Sequence, residues 1–362
     1  MFLNKDMDLN QLLLLTINAN ASDLHLIVGI PPTIRVDGEL QQLHDYPVLS
    51  SEQLQQLIFP ILTPEQKEMI LSNKELDFSI GFGGGAYGDK GRFRVNLYFQ
   101  RTYLSADFRL LPPKIRTLEE LNIPAICHDF AKPRQGFVLL TGPTGHGKSS
   151  TIAAMVNEIN LTRGAHILTI EDPIEYMYPK GKSIISQREI GNDTHSWAAS
   201  LRAALREDPD VVLIGEMRDP ETIAAALTIA ETGHLVFSTL HTNSAAQSID
   251  RIIDSFPAHQ QNQVRMQLSL TLKAVVSQRL LPRQGGGRIP AVEVLIATSA
   301  VSSNIRDGRT HLIDSIIQTS SDIGMIPFDK SLAELVNNGD VSLDVAKNYA
   351  LHEKEFLELL KQ

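Results

Sequence analysis

The first third of the chain alternates between helical and strand patterns and predicts a small α+β domain. Residues 8–20 place apolar positions at helical spacing, and "DLHLIV" and "TIRVDGELQQL" predict strands with a turn at Asp37-Gly38. Thr63 and Gln66 form a capping box that predicts a second helix. The strands "LDFSIGF", "GRFRVNLYFQR" and "YLSADFRLL" follow, the first two joined by a glycine-rich turn at residues 83–91.

Two adjacent prolines, Pro112 and Pro113, interrupt this pattern. Proline continues neither a helix nor a strand ladder, so the pair favours an interdomain hinge. We therefore predict a first domain over residues 1–111, a linker over 112–117 and a second domain over 118–362.

In the second domain short apolar strands are followed by helical stretches. "GFVLLT" precedes "GKSSTIAAMVNEIN", "DVVLIG" precedes "PETIAAALTIAETG", and "LVFSTL" precedes "SAAQSIDRIIDSF". Such alternation predicts an α/β fold with a mainly parallel sheet and helices on its faces. The end of the chain has a helical pattern with stops at Gly324 and Pro327.

Composition narrows the class of protein. The chain has 362 residues, 43% of them hydrophobic, which is enough for two cores. Its net charge of −9 gives no overall attraction to phosphate backbones, so we expect no nucleic-acid partner. The single cysteine, Cys127, excludes an intramolecular disulfide or a zinc module of paired cysteines, and fits a reducing cytoplasm. With no apolar run long enough for a bilayer, any membrane role is peripheral.

The segment Gly142–Ser149, "GPTGHGKS", lies between a predicted strand and a predicted helix, the context that indicates a P-loop. Glycines let backbone N–H groups surround a phosphate, Lys148 adds a point charge, and Ser149 offers a hydroxyl to Mg²⁺. We predict binding of ATP with Mg²⁺. The predicted nucleotide-binding residues are Gly142, Pro143, Thr144, Gly145, His146, Gly147, Lys148, Ser149 and Ser150.

His146 occupies one of the four unrestricted positions of the loop. One interpretation is a tolerated surface side chain, and the other is a pH-sensitive cation near the phosphates. The sequence does not decide between them.

Hydrolysis also needs a carboxylate at the end of a neighbouring strand. Glu216 ends one strand, after Gly215 where an aspartate would be expected, so it is predicted to act through water as general base or metal-water ligand. Glu171 and Asp172 end another, and Glu175 follows. For Asp172 a turn role is favoured, whereas Glu175 is either a second acid that positions water or part of a surface ion pair.

Histidines and arginines provide the remaining candidates. His234 and His241 lie at opposite ends of one apolar strand, which argues against a shared metal. They are either hydrogen-bonded structural histidines or sensors of a γ-phosphate, and His241 has the better position for sensing. The first domain contributes Arg92, Arg94, Arg101 and Arg109. They are either solvated surface charges or arginines supplied to a transferred phosphoryl group.

Four ordered motifs together resemble one known family. They are "GPTGHGKS", the acidic segment from Leu168 to Glu175, "REDPDVVLIGEMRD" at 206–219 and "AETGHLVFSTLHTNSA" at 230–245. In combination they resemble the secretion-superfamily traffic ATPases, most closely the PilT family of type IV pilus retraction ATPases. "ASDLHL" and "GRFRVN" extend the resemblance into the first domain.

The resemblance implies a PAS-like N-terminal domain, a RecA-like ATPase domain and a ring homohexamer with each nucleotide between two domains. It implies a motor for pilus retraction and twitching motility, located in the cytoplasm and peripherally at the inner membrane. A pilus platform protein would be the partner, and a paralogous retraction ATPase is a further candidate. By position it assigns catalytic roles to Glu171, Glu175, Glu216, His234, His241, Arg94 and Arg109, and metal roles to Ser149 and Glu216.

Two features bear on the branch of the family. Pilus-extension and type II secretion members carry a four-cysteine metal module, so a single cysteine favours retraction. The region Ala300–Arg306 departs in its first half from the "AIRNLIR"-like segment of retraction enzymes. An accessory retraction paralogue, an extension or secretion motor, and a regulatory ring component without useful hydrolysis therefore remain alternatives.

Overall fold

A computed structural model describes residues 7–36, 38–83, 91–111 and 114–361. The chain divides into two compact units. The first comprises Met1–Lys114 with Pro173–Met177, and the second comprises Ile115–Asp172 with Tyr178–Gln362. This division falls inside the predicted linker, although the hinge prolines, like Asp37 and the turn residues 84–90, lie outside the described residues.

The first unit has the predicted α+β composition. Its helices are α1 (Leu9–Asn18), α2 (Ser51–Ile58) and α3 (Pro64–Asn73), with a 3-10 turn at Phe59–Ile61. Its strands are β1 (Asp23–Ile27), β2 (Thr33–Val36), β3 (Glu39–Gln42), β4 (Glu75–Phe82), β5 (Gly91–Gln100) and β6 (Tyr103–Leu111). The capping box is confirmed, since the Gln66 N–H donates to Thr63 Oγ1 at 3.2 Å and the Thr63 N–H donates to Gln66 Oε1 at 3.1 Å.

The described strands of this unit pair antiparallel in the order β3-β2-β1-β6-β5-β4. Alternation along β5 buries Phe93 and Val95 on the side of the helices and directs Arg92 and Arg94 to the other face. One face of the sheet therefore forms the core of the unit, and the opposite face carries polar side chains.

The second unit begins with a 3-10 segment, Ala125–Ala131, and continues as an α/β fold. Its strands are β7 (Gly136–Thr141), β8 (His166–Glu171), β9 (Ile184–Glu189), β10 (Val211–Ile214), β11 (Leu235–Leu240), β12 (Leu272–Pro282) and β13 (Arg288–Ile296). The helices among them are α4 (Lys148–Thr162), α5 (Trp197–Ala204), α6 (Pro220–Glu231), α7 (Ala245–Asp254) and α8 (Ala258–Thr271). The C-terminal helices are α9 (Ser299–Arg306), α10 (Ile313–Thr319), α11 (Phe328–Asn337), α12 (Leu343–Tyr349) and α13 (Glu353–Leu359), with 3-10 turns at Thr310–Leu312 and Ser321–Ile323.

The second sheet has the order β13-β12-β7-β11-β10-β8-β9 among the described residues. All neighbouring pairs are parallel except the last hairpin, in which β12 and β13 are antiparallel. Alternate residues of β7 enter two different cores: Phe137 and Leu139 pack on one side, Val138 and Leu140 on the other. Burial on both faces explains why the central strands are apolar throughout. The predicted parallel sheet is confirmed.

The carboxyl ends of the parallel strands set the position of the site. β7, β8, β10 and β11 run in the same direction, so the loops that follow them emerge at one edge of the sheet. None of the helices in the described part of the chain has both the length and the apolar character needed to cross a bilayer.

Candidate active site

The segment Gly142–Gly147 connects the end of β7 to the start of α4. Gly142 has a φ of +138°, and a Cβ there would lie 2.2 Å from the carbonyl oxygen of Gln278 in β12. Gly147 has a φ of +82° and caps α4, which has no side-chain cap hydrogen bond. The loop can therefore follow this path only with glycine at these two positions, because other residues meet steric and backbone strain.

Lys148 is a buried cation at the first position of α4. Its Nζ donates to the carbonyl oxygens of Gly142 at 2.7 Å and Pro143 at 2.9 Å. The ammonium thus lies inside the loop, beside the positive end of a helix of 15 residues. A buried cation at an uncapped helix start is the environment that phosphate groups require. The loop fits the triphosphate of a nucleotide.

Glu216 follows β10 and meets the phosphate loop through one histidine. The Nε2 of His241 lies 3.4 Å from Glu216 Oε2, and its Nδ1 lies 3.2 Å from the hydroxyl of Thr144. A neutral ring with its proton on Nε2 satisfies both contacts, since Thr144 can donate to Nδ1 while Nε2 donates to the carboxylate. The guanidinium of Arg218 is the other partner of Glu216. The sequence placed Glu216 and His241 each at the end of a strand, and the structure brings the two side chains into contact.

The loop that carries Glu216 is fixed to β11 by a residue that the sequence did not single out. Thr239 Oγ1 donates to the carbonyl oxygen of Gly215 at 2.6 Å, and the Met217 N–H donates to the Thr239 carbonyl at 3.3 Å. These bonds hold the backbone on both sides of Glu216. The only sequence signal was a pair of small polar residues, Ser238 and Thr239, in a strand whose other residues are apolar, and such residues are common in sheets without any function.

Gly215 stands where an aspartate was expected. A Cβ there would make ordinary van der Waals contacts, at 3.4 Å with the Ile170 carbonyl oxygen and the ring of Trp197 and at 3.5 Å with the Cα of Glu171. These contacts do not explain why the position is glycine. In this chain Glu216 is the carboxylate that β10 contributes to the site.

The other acidic candidates are divided between the two units. Glu171 is buried at the end of β8 and accepts from Thr169 Oγ1 at 2.7 Å, close to Gly215 along the neighbouring strand. Glu175 lies in Pro173–Met177, which the sequence placed in the second domain and the structure groups with the first unit. Its participation stays a prediction.

His234 lies apart from the cluster of His241 and Glu216. It precedes β11 at the opposite end from His241, and its Nδ1 lies 2.9 Å from the carbonyl oxygen of Ile229 and 3.1 Å from Thr232 Oγ1. Within this chain the structure therefore does not bring His234 to the phosphate loop. A catalytic role inside the same subunit is not supported, because a strand of six residues separates the two histidines.

The arginine candidates lie on the polar face of the first sheet. Arg94 in β5 stands directly opposite Arg109 in β6, and Arg109 stands opposite Asp23 in β1. Arg109 Nε donates to Asp23 Oδ1 at 2.8 Å while its side chain remains 69% exposed. Arg94 Nε is 4.0 Å from an Asp77 oxygen. Strand pairing thus places two of the predicted arginines side by side.

Sequence reasoning missed the contribution of β12. The side-chain amide of Gln278 donates from Nε2 to the His146 carbonyl oxygen at 2.8 Å and accepts at Oε1 from Thr151 Oγ1 at 2.8 Å. In the neighbouring strand, Arg288 donates to the Gly145 carbonyl at 3.2 Å. A buried glutamine in an unrecognised strand carries no signal in the sequence that would separate it from a surface residue.

Among the described residues no group of three or more His, Cys, Asp or Glu side chains is arranged to hold a metal ion. The ligands predicted from the sequence, Ser149 at the start of α4 and Glu216 after β10, are two oxygen donors. Mg²⁺ usually takes only one or two protein oxygens in phosphoryl-transfer sites, so this pair is chemically suited to it, and the assignment stays a prediction.

Three comparisons with known proteins identify the family of the chain. A family model described as "Type II/IV secretion system protein" matches residues 117–338. The chain is 45% identical to the type IV pilus retraction ATPase PilT of Pseudomonas aeruginosa over 344 residues, which cover 95% of this chain and 98% of that protein. It is 47% identical to a twitching motility protein of Neisseria gonorrhoeae over 320 residues, covering 88% and 84%. A crystal structure of the pilus retraction motor PilT with bound ADP matches with a TM-score of 0.89 at 43% identity, covering 96% and 98%.

The fold and the phosphate loop define a P-loop ATPase with a RecA-like domain after a smaller N-terminal domain. The chain belongs to the type II/IV secretion system protein family, and within it to the PilT family of pilus retraction ATPases. The fold class, the family resemblance and the expectation of an ATP-hydrolysing enzyme are confirmed.

Proposed function

We propose that the chain is an Mg²⁺-dependent ATPase motor that drives type IV pilus retraction and twitching motility. The observation that carries the proposal is the contact chain from Thr144 through His241 to Glu216, in a protein whose full length matches a retraction ATPase. It links the loop that would hold ATP to the carboxylate that would activate water.

We assign the steps of hydrolysis to named groups. The backbone N–H groups of the loop and Lys148 hold the β- and γ-phosphates. Glu216 orients and deprotonates the attacking water, and His241 fixes the position of that carboxylate relative to the loop. Ser149, and Glu216 through water, would hold Mg²⁺, which would supply positive charge to the phosphate oxygens.

Four further residues complete the assignment. Glu171 and Glu175 support the positioning of water, and Arg94 and Arg109 supply positive charge to the phosphoryl group in its transition state. The exposure of the Arg109 side chain supports this role, because an exposed guanidinium can exchange Asp23 for a phosphate.

His234 is assigned a structural role, since its contact with Ile229 holds the end of α6 against β11.

We further propose a homohexamer in the cytoplasm, peripherally associated with the inner membrane at the pilus base. Its partner would be an inner-membrane pilus platform protein that receives the motion, with a paralogous retraction ATPase as a second partner. Hydrolysis would be coupled to movement of one unit of the chain against the other.

A glutamine substitution tests the hydrolytic assignment. Glu216→Gln keeps the size of the side chain but removes the base, so we expect kcat to fall at least about a hundredfold. ATP affinity should stay within about threefold of wild type, since Lys148 and the loop are unchanged. Glu221→Gln is the matched control, because Glu221 is a 68% exposed carboxylate paired only loosely with Arg202. Undiminished hydrolysis in Glu216→Gln would refute the assignment.

A deletion strain complemented with wild type or Lys148→Ala tests the cellular role. Loss of retraction should leave cells with abundant surface pili and no twitching, and only wild type should restore motility. Cells without pili would instead identify an extension motor.

An accessory paralogue is the second candidate, on the basis of the departure at Ala300–Arg306. This segment lies in helix α9, where Val301 and Ile305 face the core and Asn304 donates to the Ala300 carbonyl at 2.9 Å. If the purified chain hydrolyses ATP only with a second retraction ATPase, the accessory role is favoured.

A further inference from the structure

His146 is held to β12 through both its ring and its backbone. The Leu280 N–H donates to His146 Nδ1 at 2.9 Å, and Gln278 Nε2 donates to the His146 carbonyl oxygen at 2.8 Å. The ring is thus a hydrogen-bond acceptor, which requires an unprotonated Nδ1. Neither interpretation from the sequence fits, since the side chain is neither idle nor a cation directed at phosphate.

The charges around the ring favour this neutral form. Burial lowers the pKa of His146 first, and the positive charges of Lys148, Arg288 and Arg279 lower it further. At neutral pH the ring therefore carries its one proton on Nε2 and leaves Nδ1 available to Leu280.

The carbonyl contacts determine where the amide groups of the loop point. In a trans peptide the C=O and the following N–H point in opposite directions. Gln278 holds the His146 carbonyl, and Arg288 holds the Gly145 carbonyl at 3.2 Å. The N–H groups of Gly147 and His146 are consequently directed away from the β12–β13 hairpin. Amide groups oriented in one direction by a fixed backbone are the means by which a P-loop binds phosphate.

We propose that His146 is a positioning residue that fixes the phosphate-binding conformation of the loop by accepting the backbone N–H of Leu280. β12 provides a fixed reference, because it is paired with β7 up to Ser277 and with β13 along Ala274–Pro282, which includes Gln278 and Leu280. The ring does not touch the nucleotide in this role. The inference rests on the assignment of Gly142–Ser149 as the nucleotide site.

Two substitutions distinguish the role of the Nδ1 acceptor from that of side-chain size. His146→Leu replaces the ring with an apolar side chain of similar length, which leaves the Leu280 N–H unpaired. His146→Asn places an amide oxygen near the position of Nδ1 and can accept the same bond. We expect His146→Leu to weaken ADP binding about tenfold and to raise KM for ATP more than it lowers kcat. His146→Asn should recover most of that loss.

The measurements are ADP affinity by calorimetry, steady-state ATPase kinetics, and the melting temperature of the nucleotide-free chain. The melting temperature of His146→Leu should stay within about 3 °C of wild type, which separates positioning from general destabilisation. His44→Leu makes the same chemical change at an exposed histidine of the first unit and serves as control.

Each result decides the question. Weak binding in His146→Leu with recovery in His146→Asn supports the proposal. Wild-type affinity in His146→Leu, or equal loss in both variants, overturns it while leaving the nucleotide site intact. If wild-type protein binds no ADP and Lys148→Ala changes nothing, the nucleotide site itself is wrong and the inference fails with it.

Discussion

The close approach between Gly142 and β12 allows the cost of a single methyl group to be worked out. Gly142→Ala would place Cβ 2.2 Å from the carbonyl oxygen of Gln278 and 3.2 Å from its carbonyl carbon, at a φ of +138°. The left-handed backbone costs an alanine about 1–2 kcal/mol. Overlap with a strand that cannot easily shift adds about 1–3 kcal/mol. The total penalty on the loop conformation is about 2–5 kcal/mol.

The overlap can be relieved if the loop adopts a different conformation. The penalty should therefore appear as a loss of nucleotide affinity. A penalty of about 2 kcal/mol corresponds to roughly thirtyfold weaker ADP binding. A larger penalty would weaken ADP binding below what calorimetry can detect. Gly29→Ala is the control, because Gly29 has a φ of +93° and no atom within 4 Å of its Cβ position. It bears the backbone cost without the overlap, and its ADP affinity should equal that of wild type. ADP binding by Gly142→Ala within threefold of wild type would refute the reasoning.

Two further predictions concern charged groups. Burial alone would lower the pKa of His128, but hydrogen bonds and charge from Glu158 at 2.7 Å and Glu119 at 3.0 Å outweigh it and raise the pKa. The stabilisation of the fold by protonated His128 is complete below the ordinary histidine pKa and is lost as pH rises through the raised pKa. In urea unfolding, His128→Gln should therefore lower the free energy of unfolding more at about pH 5.5 than at about pH 8.5. An equal loss at both pH values would contradict the pairing. Arg109→Ala should lower kcat at least about tenfold, and wild-type kcat in this variant would remove the arginine from the mechanism.

Local rules were sufficient where neighbouring residues determine the structure. The capping box at Thr63 and Gln66 predicted the start of α3, because both partners lie within one turn. The phosphate loop was predictable from its position between an apolar strand and a helix. Apolar strands followed by helices also predicted the parallel sheet, and in the structure the parallel pairing of β10 and β11 brings Glu216 and His241 to the same edge.

The pattern of apolar and polar positions did not predict three of the strands, β9, β12 and β13. β9 is an edge strand with intermediate exposure along most of its length, so its apolar alternation is weak. β12 follows α8 at the next residue, without glycine, proline or another turn signal to separate them. Within β12 the buried Ser277 and Gln278 interrupt the apolar run. The sequence does not distinguish a polar residue that is buried with tertiary hydrogen bonds from one that is exposed to solvent.

The consequence for the site is that its geometry depends on a strand that supplies no catalytic side chain. Gln278 and the Leu280 N–H hold the phosphate loop, while Ser277 Oγ donates to the Asn243 carbonyl at 3.1 Å in the segment that follows His241. Consecutive residues of β12 thus contact both the phosphate loop and the segment that follows His241. Because ladder hydrogen bonds fix β12 in the sheet, the distance between these two segments is set by the strand as well as by the 3.2 Å contact of Thr144 with His241. Substitutions in β12 should therefore alter nucleotide affinity and turnover together, although none of its residues needs to touch ATP.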